Sequence, residues 1–391
     1  MDPSPQDPAP GRVEAVRRRL AHRHGEHLLA EMETSPDPRP RRDTAGVVAY
    51  GIALAVHLVT VVLAVAGVLL VVLGWSTVVR PLVGAVLLIV AFALRPRFGR
   101  LPDDTPVLSR AEAPRLFALI DEVAAVAGTR GVDAVAVGSE FNASVTTYGL
   151  RQRRVLRVGL GLWEVMSWEQ RVAVLGHEVG HYAHGDTRHQ RVIGGALRSL
   201  ALWLHMLSPI ESPSLVERFA NALMFLPRCA VRGVLLLLDH LTMRASQRAE
   251  YLADRTAARA GSTAAATELM DVLLLGSAVG TELRRASVAA QTRGVSGGRT
   301  EVADGLWERL AAHTASVPER EYERLRRVAA LRGHSVDATH PPTHLRRRCL
   351  ADGEQSAALI TVDRAMADAV AGELAAARAK LARQVVRDYA G

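Results

Sequence analysis

The patterned part of the chain begins late. Residues 1–44 are polar and Pro-rich, pass an amphipathic stretch from about Arg12 to Met32, and close on SPDPRPRRD, a linker in composition. Gly46 to Leu73 is then an uncharged apolar run in which Tyr50, His57 and Thr60 are the notable polar side chains. It is long enough to cross a bilayer with some tilt, and soluble helices seldom run so far without charge. A second, shorter run goes from about Thr77 to Leu94 and is broken near its start by Arg80 and Pro81. Together they predict a transmembrane hairpin over 45–95, with spans at about 46–73 and 77–94. From Ser109 to Ala127 the spacing of Leu116, Ile120 and Val123 predicts a helix, and Asp133 to Val137 a strand. FNASVTTYG and RRVLRVG alternate in the manner of a short hairpin or meander. Ser167 with Gln170 three residues on forms a capping box that opens a helix, with Val172, Val174, Leu175 and Val179 as its apolar side.

Further on, Val192–Leu207 holds Arg198, and Phe219–Leu241 holds Pro227, Arg228, Arg232 and Asp239. Each charge at a helix centre costs about 2.5–3.5 kcal/mol on insertion, against about 0.3–0.6 gained per Leu, Ile or Val. Both stretches therefore read as buried or interfacial helices, with a second membrane hairpin as the alternative. The tail from Glu354 to Tyr389 is alanine-rich with an apolar stripe of Ile360, Met366, Val370 and Leu374, the pattern of a packing or partner helix. The order helix, short strands, long helix gives an α+β fold class: a mainly helical domain over 100–350 with a small sheet, preceded by the hairpin and followed by a C-terminal helix over 351–391.

Chemistry concentrates in SWEQRVAVLGHEVGHYAHGD, where His177, Glu178 and His181 form an H-E-x-x-H on one helix. Residues four apart stand one above the other, so both imidazoles can hold one metal while Glu178 flanks the open position. Zinc is the default ion, one per chain. A catalytic zinc takes three protein ligands and a water, whose proton a neighbouring carboxylate can accept. The bland alternative makes both histidines ordinary polar residues of an exposed helix. Glu250, in the helical ASQRAEYLADRTAARAG that ends at Gly261, supplies the third ligand, and Asp254 lies one turn along the same face, where it can orient a ligand histidine. Asn142 to Tyr148 is the candidate strand edge along which a peptide substrate would add as an extended strand.

Net charge is +8 over 391 residues with 49% hydrophobic positions. The arginines flank apolar runs, and no basic stretch is interleaved with aromatics, so the expected partner is the lipid bilayer and no nucleic acid. Arg39, Arg41 and Arg42 precede the first span and Arg95, Arg97 and Arg100 follow the second, with Arg80 alone between them. The positive-inside rule then places both flanks, and the domain that follows, in the cytoplasm. Two distant cysteines, Cys229 and Cys349, argue against a disulfide framework or a cysteine metal site.

At this point the chain resembles the membrane zinc peptidases that include the HtpX-like heat-shock proteases and the CAAX prenyl-protein endopeptidases. The resemblance is carried by HEVGH with Gly185 and Asp186, by Glu250, Ala253 and Asp254, by Asn142 in FNAS, and by Thr339, His340, Pro341 and Arg346 in THPPTHLR. It implies a zincin-type metallopeptidase domain over about 100–350, zinc on His177, His181 and Glu250, and Glu178 as the base. It also implies that His340 and Asn142 contact the substrate or the developing oxyanion. Where the family often has Arg three residues before the third ligand, this chain has Gln247, with Arg248 one place late. HtpX-like relatives also carry a second hydrophobic pair where this chain has arginine-studded segments, and the prenyl branch has more spans. His184, His189 and His344 are left as solvated.

The expected protein is a multi-pass cell-membrane zinc endopeptidase with a cytoplasmic catalytic domain, acting on protein substrates in membrane protein quality control. The alternatives are a non-catalytic metal-bound membrane scaffold, which would need no carboxylate at position 178, and a membrane-surface binding protein.

Overall fold

The computed structural model describes residues 44–96, 105–149, 153–184, 187–210, 214–292, 302–332 and 340–388. The amphipathic stretch expected at Arg12–Met32, and Thr339, Gly185 and Asp186, lie outside them. The chain divides into two compact units, each built from discontinuous segments. One gathers Pro38–Phe98 with Gly185–Ala245, the other Gly99–His184 with Ser246–Gly391. The 185–245 stretch thus groups with the N-terminal apolar hairpin.

In the first unit, α1 (Thr44–Leu73) and α2 (Val79–Leu94) are the two apolar runs. Thirty residues at 1.5 Å each make α1 about 45 Å long, more than the roughly 30 Å of bilayer hydrocarbon. Most of its leucines and valines are exposed, whereas Ala49, Ala53, Val56 and Gly67 are buried. Small residues mark the contact with α2: a Cβ on Gly67 would stand 2.9 Å from the Gly84 carbonyl oxygen, and one on Gly84 2.7 Å from that of Gly67. Only glycine lets the two backbones meet so closely. α6, defined below, covers the small-residue face of α1 with Ala196, Leu200 and Trp203. His57, the polar residue inside α1, donates Nε2 to the Val192 carbonyl at 3.1 Å, and Trp203 donates to the Leu94 carbonyl at 3.0 Å.

In the second unit, β1 (Val107–Leu108), α3 (Pro114–Ala127), β2 (Ala134–Gly138), β3 (Ala143–Tyr148), β4 (Arg153–Gly159) and the short α4 (Leu160–Trp163) lead to α5 (Trp168–His184). The four strands form one sheet in the order β1-β2-β4-β3. β3 and β4 pair antiparallel, as a hairpin should, but β4 then inserts beside β2 in parallel, so the strands are not a meander. Gly159 makes this crossing possible, since a Cβ there would lie 2.1 Å from the Glu140 carbonyl oxygen. α3 starts at Pro114 and not at Ser109, because Glu112 accepts from both the Ser109 N–H (2.8 Å) and its hydroxyl (2.6 Å) in a tight turn. The open N–H groups of Arg115 and Leu116 are taken by Glu373, at 2.8 and 2.9 Å.

The chain continues through α6 (Thr187–Met206), α7 (Leu215–Leu223) and the 37-residue α8 (Phe225–Gly261). The expected helix over Phe219–Leu241 is therefore broken at Met224. α9 (Thr263–Val272), a 3-10 turn at Leu273–Leu275, α10 (Gly276–Thr292), α11 (Leu306–Ala315), α12 (Glu319–Arg332), α13 (Thr343–Ala351) and α14 (Arg364–Asp388) complete the described elements. Thr263–Gln291 is long and apolar enough to cross a membrane, but its Leu269, Met270, Leu275, Val279 and Leu283 are buried in the core of this unit. The tail is helical only from Arg364. Before that, the Leu359 and Ile360 N–H groups bond the Arg259 and Ala260 carbonyls at 3.2 and 3.1 Å, tying an extended segment to the end of α8. The anticipated stripe does bury: Ile360, Val370 and Leu374 are core residues, and Met366 packs against them.

Candidate metal centre and active site

α5 opens as its sequence requires. The Ser167 N–H donates to Gln170 Oε1 at 2.9 Å and the Gln170 N–H to Ser167 Oγ at 3.3 Å. Val172, Leu175 and Val179 are buried on one side. On the side toward α8 the helix carries Gly176 and Gly180, where a Cβ would come within 3.0 Å of the Ala257 Cα and 3.1 Å of the Ala253 Cα. That close approach sets the reach between His177 and His181 on α5 and Glu250 and Asp254 on α8.

The donor atoms of three residues converge. His177 Nε2 and His181 Nε2 are 3.2 Å apart, and Glu250 places Oε2 3.5 Å from the first and Oε1 3.6 Å from the second. Two ligand atoms about 2.0–2.2 Å from a tetrahedral centre lie roughly 3.3–3.6 Å apart, so these separations are close to the edges of a zinc tetrahedron. Glu250 Oε2 is buried yet accepts no hydrogen bond, which fits an atom reserved for a cation. His340, just ahead of α13, joins the group with Nε2 3.3 Å from Glu250 Oε2. All four residues offer ligand atoms within 4.8 Å of one another.

Two of these residues are held in the protonation state that a metal ligand needs. Burial alone would raise Glu250, but the imidazoles of His177, His340 and His181 overcome it and hold its carboxyl at about 2. His181 is pushed down to about 4 by burial and by the neighbouring His177, leaving a neutral ring. Asp254 accepts the His177 Nδ1 proton at 2.9 Å and so orients the ring. Burial and Arg346 work against a charge on His177, but Asp254 and Glu250 outweigh them and raise it to about 10, so Nε2 would have to give up a proton when a cation binds. Asp254 in turn is gripped from two sides by Arg346 of α13, Nη2 to Oδ1 at 2.6 Å and Nε to Oδ2 at 2.8 Å. Burial works against its charge, and Arg346 more than compensates, so the carboxyl stays below its usual range. Arg346 Nη1 lies 4.0 Å from Glu250 Oε2. The cation beside the acidic pair thus comes from α13, while position 247 holds a buried glutamine.

Glu178 is buried beside the cluster without belonging to it, and burial raises its carboxyl above the ordinary range while His177 pulls the other way. It lines one narrow cavity with Asn142 and Ala143 at the start of β3. Asn142 itself is exposed and stands outside the four-residue cluster. Among the described residues β3 is the last strand of the sheet, with β4 on one side only. The Gly159 N–H bonds the Asn142 carbonyl at 2.9 Å, which makes 142 a hydrogen-bonded position of the antiparallel ladder. By alternation, Ala143 and Val145 turn their N–H and C=O groups outward. Tyr182 of α5 holds the strand from behind, donating its hydroxyl to the Thr146 carbonyl at 2.8 Å.

Sequence reasoning assigned no role to Arg346, Gly176, Gly180 or Tyr182. Arg346 was named only as a matching residue of THPPTHLR, and as one of three consecutive arginines its spacing does not say what it contacts. The available signal was Asp254, since a buried carboxylate on a zinc-type helix needs a cation.

A His–His–Glu cluster carried by two helices over a small sheet, with Glu178 buried beside it, is the arrangement expected of a metallopeptidase. The chain belongs to peptidase family M48, whose profile matches residues 110–353. A curated relative is the protease HtpX homolog of Methanothermobacter thermautotrophicus, 31% identical over 109 residues, covering 27% of this chain and 41% of the relative. The match thus spans about two fifths of that protein's length. No solved structure matches the chain. The chain is thus an M48-family metallopeptidase that carries a helix, α1, long and apolar enough to cross a membrane, and part of it is similar to HtpX.

Proposed function

We propose that the protein is a membrane-anchored zinc endopeptidase that cleaves protein substrates held as an added strand on β3. The observation that carries this is the set of donor separations among His177, His181 and Glu250, with Glu178 buried next to them. Zinc held there would polarise the scissile carbonyl and acidify a water molecule. Glu178 takes the water's proton and later delivers it to the leaving amine nitrogen. His340 and Asn142 face the oxyanion and the substrate backbone. The outward N–H and C=O groups of Ala143 and Val145 pair with the peptide main chain, so recognition is largely independent of side chains. Such a mode suits misfolded membrane proteins, the substrates that the HtpX resemblance suggests.

The arginine asymmetry supports a multi-pass hairpin with this chemistry on the cytoplasmic side. A second reading has one observation in its favour: His340 lies close enough to act as a fourth ligand, which would close the site and make it structural. Glu178, buried and unused in such a scaffold, weighs against it. The test is degradation of casein or of an unfolded membrane protein with metal analysis. Chelation should abolish cleavage and one zinc per chain should restore it; cleavage that persists after full metal removal would reject the proposal.

A further inference from the structure

We infer that α7 is a membrane-surface helix that lays one face into the interfacial layer of the bilayer. At 100° per residue, Leu215, Val216, Phe219 and Leu223 fall within one arc of about 100°, and Glu217, Arg218 and Asn221 within an opposite arc of similar width. A helix resting on a water-soluble core would cover the apolar arc. Here the order is reversed: Leu215, Val216, Phe219 and Leu223 are 82%, 78%, 71% and 60% exposed, while Glu217 and Asn221 are partly covered. The polar side is tied down, because the Asn221 side chain accepts the Ile210 N–H at 3.2 Å and donates to its carbonyl at 3.3 Å. The Ser214–Glu217 capping box fixes the start of the helix. Its outward apolar face is therefore a built feature of the fold.

The occupant of that face is lipid. The same compact unit contains α1, thirty uncharged residues with exposed leucines and valines that require hydrocarbon as solvent. The apolar surface of α7 also continues through the exposed Phe225 and Leu226 at the start of α8. A spanning role fits poorly. Nine residues cover only about 14 Å, under half of the hydrocarbon thickness. α7 is bent by 42° from the following Phe225–Met243 segment, and a continuous span through both would carry Glu217 and Arg218 into the hydrocarbon. At the interface those two side chains stay among the headgroups while Phe219 and its neighbours insert. This inference does not depend on the peptidase reading.

The test uses the full chain with Cys229→Ser and Cys349→Ser, and single cysteines introduced as Leu215→Cys, Arg218→Cys, Phe219→Cys and Leu223→Cys. Each carries a nitroxide and is reconstituted in phosphatidylcholine–phosphatidylglycerol vesicles, where oxygen and nickel-chelate accessibilities report depth. Labels at 215, 219 and 223 should share one shallow depth, about 5–10 Å below the headgroup boundary, with the label at 218 in water. A depth that grows steadily from 215 to 223 would overturn the inference in favour of a span. Water at all four positions would remove the lipid contact, and spin–spin broadening that vanishes on dilution with unlabelled protein would replace lipid with a second copy.

Discussion

Arg346 sits fully inside the protein because Asp254 meets it with both carboxylate oxygens, and the pair then aims His177 through its Nδ1 proton. Removing one partner strands the other charge in a low-dielectric interior, which typically costs about 3–5 kcal/mol. Arg346→Ala should therefore lower stability by that order in denaturant unfolding of the solubilised protein. Asp254→Ala should weaken zinc binding by roughly 10- to 100-fold, measured by competition with a chromogenic chelator, because the histidine loses its orienting acceptor. Glu250→Gln should lose zinc more severely, since it removes an anionic ligand. At this scale the sequence was most legible where chemistry forces spacing: His177, Glu178 and His181 read from one helical turn, and Glu250 with Asp254 from another. It singled out Arg346 only as a matching residue of THPPTHLR and gave it no role, because that role depends on a contact 92 positions away.

Elements place these residues, and the decisive contact is between α5 and the second half of α8. Gly176 and Gly180 leave no room for a Cβ of ordinary clearance against Ala257 and Ala253. Gly176→Val should force the helices apart, destabilise by about 1–3 kcal/mol and lower zinc occupancy even though no ligand is changed. Gly280→Ala, where a Cβ meets open space, is the matched control. On β3, an outward N–H at Val145 should pair with substrate, so Val145→Pro should depress peptide cleavage while zinc content stays intact. The capping box and the apolar side of α5 were readable because they are local. The parallel insertion of β4 beside β2, the start of α3 and the extended 354–363 segment were not, because each is decided by a distant partner: Gly159 under the Glu140 carbonyl, Glu373 over the α3 N-terminus, and the end of α8 under Leu359 and Ile360. The helices between Ser262 and Arg332 lack motifs altogether and declare themselves only as packing.

For the whole molecule, the uncharged length of α1 made membrane association legible from hydropathy alone, whereas the grouping of 185–245 with the hairpin required three dimensions. Arginine placement predicts that a reporter fused after residue 100 is active in the cytoplasm; activity on the outer side would reverse the proposed orientation. The central claim, that this membrane protein hydrolyses peptides with Glu178 as base beside a zinc held by His177, His181 and Glu250, is tested most directly by one paired measurement on Glu178→Gln. The amide keeps the shape of the side chain and cannot take a proton, and general-base catalysis contributes about 100- to 10,000-fold. Zinc content and peptide cleavage are measured on the same preparation. The account predicts unchanged zinc and a loss of cleavage of at least about 100-fold; near wild-type cleavage with zinc bound would contradict it.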